Sequence, residues 1–384
     1  MSAPVMRTRV DHNLYPELQR FGATDISACF NCGVCSAICP LSQDGASFPR
    51  RMARYAQLGQ RDQLLASPEL WACYGCAECT AACPTGADPA TFMAAARRYA
   101  VASYDRTHLA YLLATSGRFA LIFVVALVGL LAAFMYGVHQ PVAGDNLAFF
   151  DFIPPDVVHN LGLGVMIMMG LAALAGFLEM LRRILGRPKP KVKLVGGHRV
   201  AGAFFEAVGR ESLAQTRFRN ECADDGEGRA WYRQRWFLHF ATMWGFLGLL
   251  AATMADYGLE LLGAKTVGAP EPLWEPVRLL GTLAGALLLY GSSYLIMRRL
   301  RGRDRAARIS SNSDWTFLSM LWVAGLTGFG LELLLYLPAA PTLGYPLFLV
   351  HVAVAMALVL LLPFGKFAHA FYRPLALFLL KLRG

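Results

Sequence analysis

Cys29-Phe30-Asn31-Cys32-Gly33-Val34-Cys35-Ser36-Ala37-Ile38-Cys39-Pro40 returns 44 residues later as Cys73-Tyr74-Gly75-Cys76-Ala77-Glu78-Cys79-Thr80-Ala81-Ala82-Cys83-Pro84. Both runs have the spacing C-x2-C-x2-C-x3-C-P, with Phe30 and Tyr74 in equivalent places. Three thiolates so closely spaced cap one side of an iron–sulfur cube, and the fourth, before proline, reaches the cube of the other run. The spacing therefore predicts two [4Fe–4S] clusters. One is expected on Cys29, Cys32, Cys35 and Cys83, the other on Cys73, Cys76, Cys79 and Cys39. Structural zinc sites are the alternative, but they usually use two cysteine pairs and do not need the C-x3-C-P tail. Two clusters in one small domain suit relaying electrons better than making or breaking bonds.

Eight of the nine cysteines lie between Cys29 and Cys83, a concentration that in a reducing compartment points to metal binding and not to disulfides. Cys222 stands alone and reads as an ordinary free thiol. The segment between the motifs, about 48–70, is helical in pattern (Arg50 to Leu65, with Met52, Tyr55 and Leu58). It resembles an α-helical ferredoxin domain, expected over residues 1–115, and not the compact β-rich kind. The N-terminus, Met-Ser-Ala-Pro-Val-Met-Arg-Thr-Arg, is polar and basic with no apolar run behind it. No secretory signal is expected there, and this domain is expected to stay in the cytoplasm.

Beyond residue 115 the composition changes. The 384-residue chain is 56% hydrophobic and only 16% charged, which points to a membrane protein. Six apolar spans are expected near 119–138, 157–178, 237–256, 277–297, 315–337 and 345–369, each long enough to cross ~30 Å of hydrocarbon as a helix. The predicted fold class is thus all-α, with a bundle of six transmembrane helices over 116–384. The net charge of +10 comes from Lys and Arg flanking these spans, so a nucleic-acid partner is not expected. Arg182 to Arg235 crowd one loop and Arg298 to Arg308 another, whereas Lys265 is alone on the opposite side. This asymmetry predicts a bacterial cytoplasmic membrane protein with the cysteine domain, the loop 186–234 and the C-terminus all cytoplasmic. Within that loop, the run Phe204–Phe218 reads as a surface helix lying at the membrane or against the cysteine domain, followed by the acidic-glycine stretch Asp224–Gly228.

Histidines inside a bilayer are costly and mark function. His351 and His369 lie eighteen residues apart on the last span. In one continuous helix that is about five turns on one face and a rise of ~27 Å, which would place the two rings near opposite surfaces, each ligating a b-type haem. The expected inner pair is His239 with His369. The expected outer pair is His351 with His159, His139 being the other candidate at that depth. Quinone chemistry moves protons, so its pocket needs polar groups at a surface; Glu332 or His351 on the outer side and Lys366 on the inner are the candidates. His12, His108 and His198 lie outside the spans. The mid-membrane positions are filled by Gly, Ala, Leu and Met, with Glu179, Asp256 and Glu332 toward the ends, which argues against an ion pump.

The stretches Phe348-Leu349-Val350-His351 and Leu361-Leu362-Pro363-Phe364-Gly365-Lys366-Phe367-Ala368-His369 resemble the last helix of the cytochrome b subunits of respiratory nitrate reductases, with the same histidine spacing. Phe237-Leu238-His239-Phe240 resembles the start of that family's second helix. The family has a further histidine ten residues on, where this chain has Leu249, so the outer haem depends on His159. The cysteine runs resemble the iron–sulfur subunit of heterodisulfide reductases. Fused in this order, over roughly 25–100 and 115–375, the two halves resemble the C subunits of quinone-interacting membrane-bound oxidoreductase (Qmo) complexes. That resemblance implies a subunit of a quinone-linked oxidoreductase, with menaquinone as substrate. It implies electron exchange with the flavin and iron–sulfur subunits QmoA and QmoB and, through them, adenylylsulfate reductase in dissimilatory sulfur metabolism. The chain has no Cys-Cys-Gly run for a heterodisulfide-cleaving cluster and no glycine-rich dinucleotide fingerprint, so flavin is expected on partners. A membrane subunit of a heterodisulfide-reductase-type complex and a haem-free anchor for a ferredoxin domain remain the alternatives.

Overall fold

The computed structural model describes residues 9–383, apart from 25, 43–47, 143–146, 187–195, 222–229, 267–271, 303–304 and 338–340. Every regular element among them is helical. In the N-terminal domain α1 (Leu14–Arg20), α2 (Arg50–Gln57) and α3 (Pro89–Tyr104) bury Leu14, Leu18, Met52, Phe92 and Met93 against one another. The start of α3 is set locally. Asp88 caps it by accepting from the Thr91 N–H at 3.2 Å, and Pro89 occupies the first turn, where its missing N–H is no loss. Asp88 also accepts from the Thr80 hydroxyl at 2.6 Å, which ties the cap to the second cysteine run.

Six helices are long and apolar enough to cross a membrane: α4 (Gly117–Gly137), α5 (Pro155–Leu185), α6 (Arg235–Leu261), α7 (Pro276–Arg301), α8 (Asn312–Leu334) and α9 (Pro341–Leu361). Ser116 caps α4, and the Ser311–Asp314 capping box opens α8. Leu121, Ile122, Leu163 and Leu171 point outward along α4 and α5, the exposure a lipid-facing surface calls for. Between α6 and α7 the backbones nearly touch. A Cβ at Gly245 would lie 2.5 Å from the Leu288 nitrogen, and one at Gly291 would lie 2.8 Å from the Leu238 carbonyl. Small residues at such crossings are how apolar helices gain van der Waals contact in lipid. Gly245→Leu is therefore expected to force the pair apart and lower stability by about 1–3 kcal/mol, the usual cost of overpacking. The measurement is the thermal midpoint of the detergent-solubilised protein.

The last span departs from the sequence expectation. The helix carrying His351 ends at Leu361, and a 3-10 turn (Leu362–Phe364) follows. Gly365 is extended at φ −123°, ψ −154°, and a second 3-10 turn precedes α10 (His369–Arg383). Pro363 has no N–H to give to the helix, and the extended Gly365 redirects the chain. His351 and His369 thus belong to two helices, and the five-turn argument for a shared face does not hold.

The break lets α10 join the cysteine domain. Tyr372 packs at 5.0 Å from Trp71 and 5.3 Å from Tyr104, and Met180 and Ile184 of α5 enter the same core. Buried Glu179 takes Arg182, Arg183 and, at 3.4 Å, Arg106 of the N-terminal domain. The segment after α5 contains a helix (Gly197–Phe204) running into a π-helical stretch (Phe205–Leu213) and a short helix (Thr216–Glu221). Ala207 packs with Ala72 and Leu377, and Phe218 stacks on Tyr74 at 5.6 Å. Of the two placements expected for this loop, the one against the cysteine domain is observed. Cys222 and Asp224–Gly228 lie outside the described residues.

Candidate functional site

The two cysteine runs repeat in backbone as well as in sequence. Asn31 and Gly33 in the first, and their equivalents Gly75 and Ala77 in the second, are all left-handed, with φ of 62°, 92°, 70° and 70°. Alternating left- and right-handed residues turn successive N–H groups inward into an anion-binding nest, an arrangement common at iron–sulfur sites. In the second run the Gly75 N–H donates to Cys73 Sγ at 3.4 Å. A cavity of about 290 Å³ opens beside this run, lined by Cys39, Cys73, Cys76 and Cys79. These are the four thiols expected on one cluster, Cys39 arriving from the other run. Cys35 lies within electrostatic reach of Cys29, Cys32 and Cys83, the other expected set.

Burial pushes the Cys39 thiol up to about 11 and Cys79 higher still. Thiols so buried ionise when a metal supplies the compensating charge. Burial also works upward on Cys83, but hydrogen bonds from the Thr85 hydroxyl and the Thr85, Ala87 and Gly86 backbone outweigh it and hold this thiol below its ordinary value. Among the described residues no three His, Cys, Asp or Glu groups stand close enough to share one ion. Cys39, Cys73, Cys76 and Cys79 line one shared volume instead, with room for a cube.

The two runs face different ways. Phe30 is 66% exposed and Cys32 is exposed beside it, so the first run lies at the surface. Tyr74, its counterpart, is covered by Phe218 and by the Arg373 guanidinium, 4.3 Å from the ring centre. The second run therefore faces the helical bundle.

Directly beyond it stand His239 and His369, their ring centres 6.1 Å apart and their planes at 58°. Two imidazoles on opposite sides of one metal, with bonds of ~2 Å, leave their ring centres roughly 6 Å apart. Both rings are anchored through Nδ1. His369 donates from Nδ1 to the Lys366 carbonyl at 2.7 Å, and His239 from Nδ1 to Gln215 Oε1 at 3.1 Å. A carbonyl oxygen only accepts, so Nδ1 carries the proton and Nε2 is left with its lone pair for a metal. Burial, and after it the His239 ring, pushes His369 down to about 3, which keeps the imidazole neutral as a ligand must be.

The outer pair is not brought together. His351 donates from Nδ1 to Thr327 Oγ1 at 3.0 Å, and Gly328 makes room for the ring. His159 turns instead to α6, where its Nε2 lies 3.4 Å from Glu260 and its ring packs on Tyr257 at 4.6 Å. His139 bonds to the Tyr136 carbonyl and stacks on Tyr136 at 4.6 Å. The candidate quinone residues are engaged as well. Glu332 pairs with Arg278 at 2.6 Å, and Lys366 with buried Asp314 at 2.6 Å.

Comparison with known proteins follows these two parts of the molecule. The model for the citrate utilization protein B family matches residues 103–384, nearly three quarters of the chain. The chain belongs to this family. A 4Fe-4S dicluster domain model matches residues 25–87, so the N-terminal domain is an iron–sulfur domain. Citrate utilization protein B of Escherichia coli is 32% identical over 265 residues, 66% of this chain and 63% of that protein. One of the subunits of the dihydromethanophenazine:CoB–CoM heterodisulfide reductase from Methanosarcina mazei is 24% identical over 152 residues, 37% of this chain and 58% of that protein. The alignments thus span about three fifths of these relatives. No solved structure matches. The chain therefore joins an iron–sulfur domain to six helices that, among the described residues, are long and apolar enough to cross a membrane.

Gln215, Arg235 and Arg373 were not singled out from the sequence. Gln215 is buried and left-handed at φ 52°, in a loop far from His239 in sequence, and it has no motif that would have marked it. The arginines had a signal: each lies four residues from a candidate histidine.

Proposed function

We propose that this chain is the membrane electron-transfer subunit of a respiratory oxidoreductase, with one b-type haem held between His239 and His369. Its two [4Fe–4S] clusters are held by Cys29, Cys32, Cys35 and Cys83 and by Cys73, Cys76, Cys79 and Cys39. The observation that carries the proposal is the close histidine pair, both rings anchored through Nδ1, next to the second cysteine run. When bound, the clusters and haem supply one-electron carriers that match a two-electron membrane substrate to a soluble partner. Exposed Phe30 and Cys32 leave the first run open to that partner, and covered Tyr74 places the second run against the bundle. The Lys- and Arg-rich loops favour a cytoplasmic position for the iron–sulfur domain. One haem is counted in this reading, because the His159 Nε2 is engaged with Glu260.

The membrane substrate in this reading is menaquinone. For the partner there are two readings. The fused domain order favours flavin and iron–sulfur subunits like QmoA and QmoB, ending on adenylylsulfate reductase. The family match favours an oxidoreductase acting on a citrate-like carboxylate. Affinity purification of the tagged chain from its native membranes, with mass spectrometry, separates them by the flavoprotein that co-purifies. The quinone arm is tested in proteoliposomes. A menaquinol analogue is expected to reduce the b-band within the time dithionite takes; a band that only dithionite reduces would sink the quinone link.

Gln215 gives a further test. It fixes the His239 tautomer, and losing such a support weakens metal binding roughly 10–100-fold. Gln215→Leu is expected to lose haem during gel filtration under conditions where the wild type retains it, measured as the haem-to-protein absorbance ratio.

A further inference from the structure

Each of the two facing histidines has an arginine one helical turn away. Arg235 precedes His239 by four residues on α6, and Arg373 follows His369 by four on α10. Spacing of four places residues on the same side of a helix. Both arginines reach the loop of the second cysteine run. Arg235 Nη2 donates to the Gly75 carbonyl at 3.1 Å, and Arg373 Nη1 to the Cys73 carbonyl at 3.2 Å. The Arg373 guanidinium lies close enough over Tyr74 for cation–π contact, 4.3 Å from the ring centre. Its other terminal nitrogen, Nη2, is buried and has no hydrogen-bond acceptor among the described residues.

A buried cationic donor without an acceptor is costly, and natural structures seldom leave one. Glu211 is a carboxylate within electrostatic reach of Arg373, but no hydrogen bond joins the two: its Oε1 is held by Lys381 at 3.2 Å and Arg217 at 3.9 Å, and its buried Oε2 has no partner among the described residues. The orphan donor belongs to the arginine one turn from His369, and both histidine rings lie within its electrostatic reach. What the site lacks there is a small anionic group that arrives with a ligand.

We infer that Arg373 Nη2 binds a carboxylate of the group seated between His239 and His369, a propionate where that group is haem, while Nη1 holds the Cys73 loop. The inference rests on the haem reading above. Its consequence is that one guanidinium fixes the membrane pocket and the cluster loop to each other, with Arg235 as a second tie.

The test uses the full-length chain produced in haem-deficient cells and titrated optically with haem b or with its dimethyl ester, in which both propionates are blocked. The wild type is expected to favour haem b by about tenfold or more, the worth of one charge-assisted hydrogen bond. Arg373→Gln erases that preference, Arg373→Lys keeps part of it, and Glu211→Gln keeps it. An Arg373→Gln protein that prefers haem b as strongly as the wild type overturns the inference. Should Arg373→Gln not fold, redox-induced infrared difference spectra of Arg373→Lys with ¹³C-propionate haem decide. A shifted carboxylate band supports the contact, and an unmoved band overturns it. Wild-type protein that binds no haem overturns the haem reading itself, before any variant is made.

Discussion

Replacing His369 with alanine is expected to abolish the b-type α-band of the reduced protein. The two imidazoles have ring centres 6.1 Å apart, and each is held by a different helix and a different anchor. Removing one leaves a single imidazole where the site is built for two, and the other cannot reach across to replace it. His239→Ala is expected to give the same result. His159→Ala, which removes the contacts with Glu260 and Tyr257, is expected to leave haem content unchanged. Pyridine haemochrome assays on the purified variants measure all three. Loss of haem in His159→Ala with retention in His369→Ala would reverse the assignment.

The second large effect is expected from Cys76→Ser. Cys76 lines the 290 Å³ cavity with Cys39, Cys73 and Cys79, so its loss removes one cluster and leaves the other. Non-haem iron is expected to fall from about eight to about four atoms per chain, and spin coupling between two reduced clusters should vanish from the paramagnetic resonance spectrum. The damage should spread into the bundle, because the Cys73–Cys76 loop is what Arg235 and Arg373 hold. Cys32→Ser is the contrast. Cys32 is exposed in the run that lies at the surface, so one cluster is expected to be lost and the haem spectrum to stay as in the wild type.

The iron–sulfur domain was legible because its chemistry is local: each cysteine run is a few consecutive residues, and the proposed cross-ligation rests on the proline-terminated tail. The six spans were legible for the same reason, since length and apolar content are properties of a segment. The inner histidine pair could be proposed because depth along a helix is computable from sequence. Depth is not direction, however. His159 and His351 lie toward the same surface, yet His159 faces α6, and nothing in a one-dimensional pattern gives that azimuth. The break at Pro363 and Gly365 had a local signal, but the unbroken apolar run around it hid it. Glu332 and Lys366 looked like free polar groups because their partners, Arg278 and Asp314, begin other helices. Gln215 and the two arginine ties exist only once loops distant in sequence have packed together.

The central claim is that His239 and His369 hold a b-type haem beside a dicluster domain. The dithionite-reduced minus oxidised spectrum of the purified full-length chain, with haem quantified against protein, tests it most directly. The account predicts a b-type α-band and about one haem per chain. A spectrum with iron–sulfur bleaching and no α-band would contradict it and leave the bundle as a haem-free anchor.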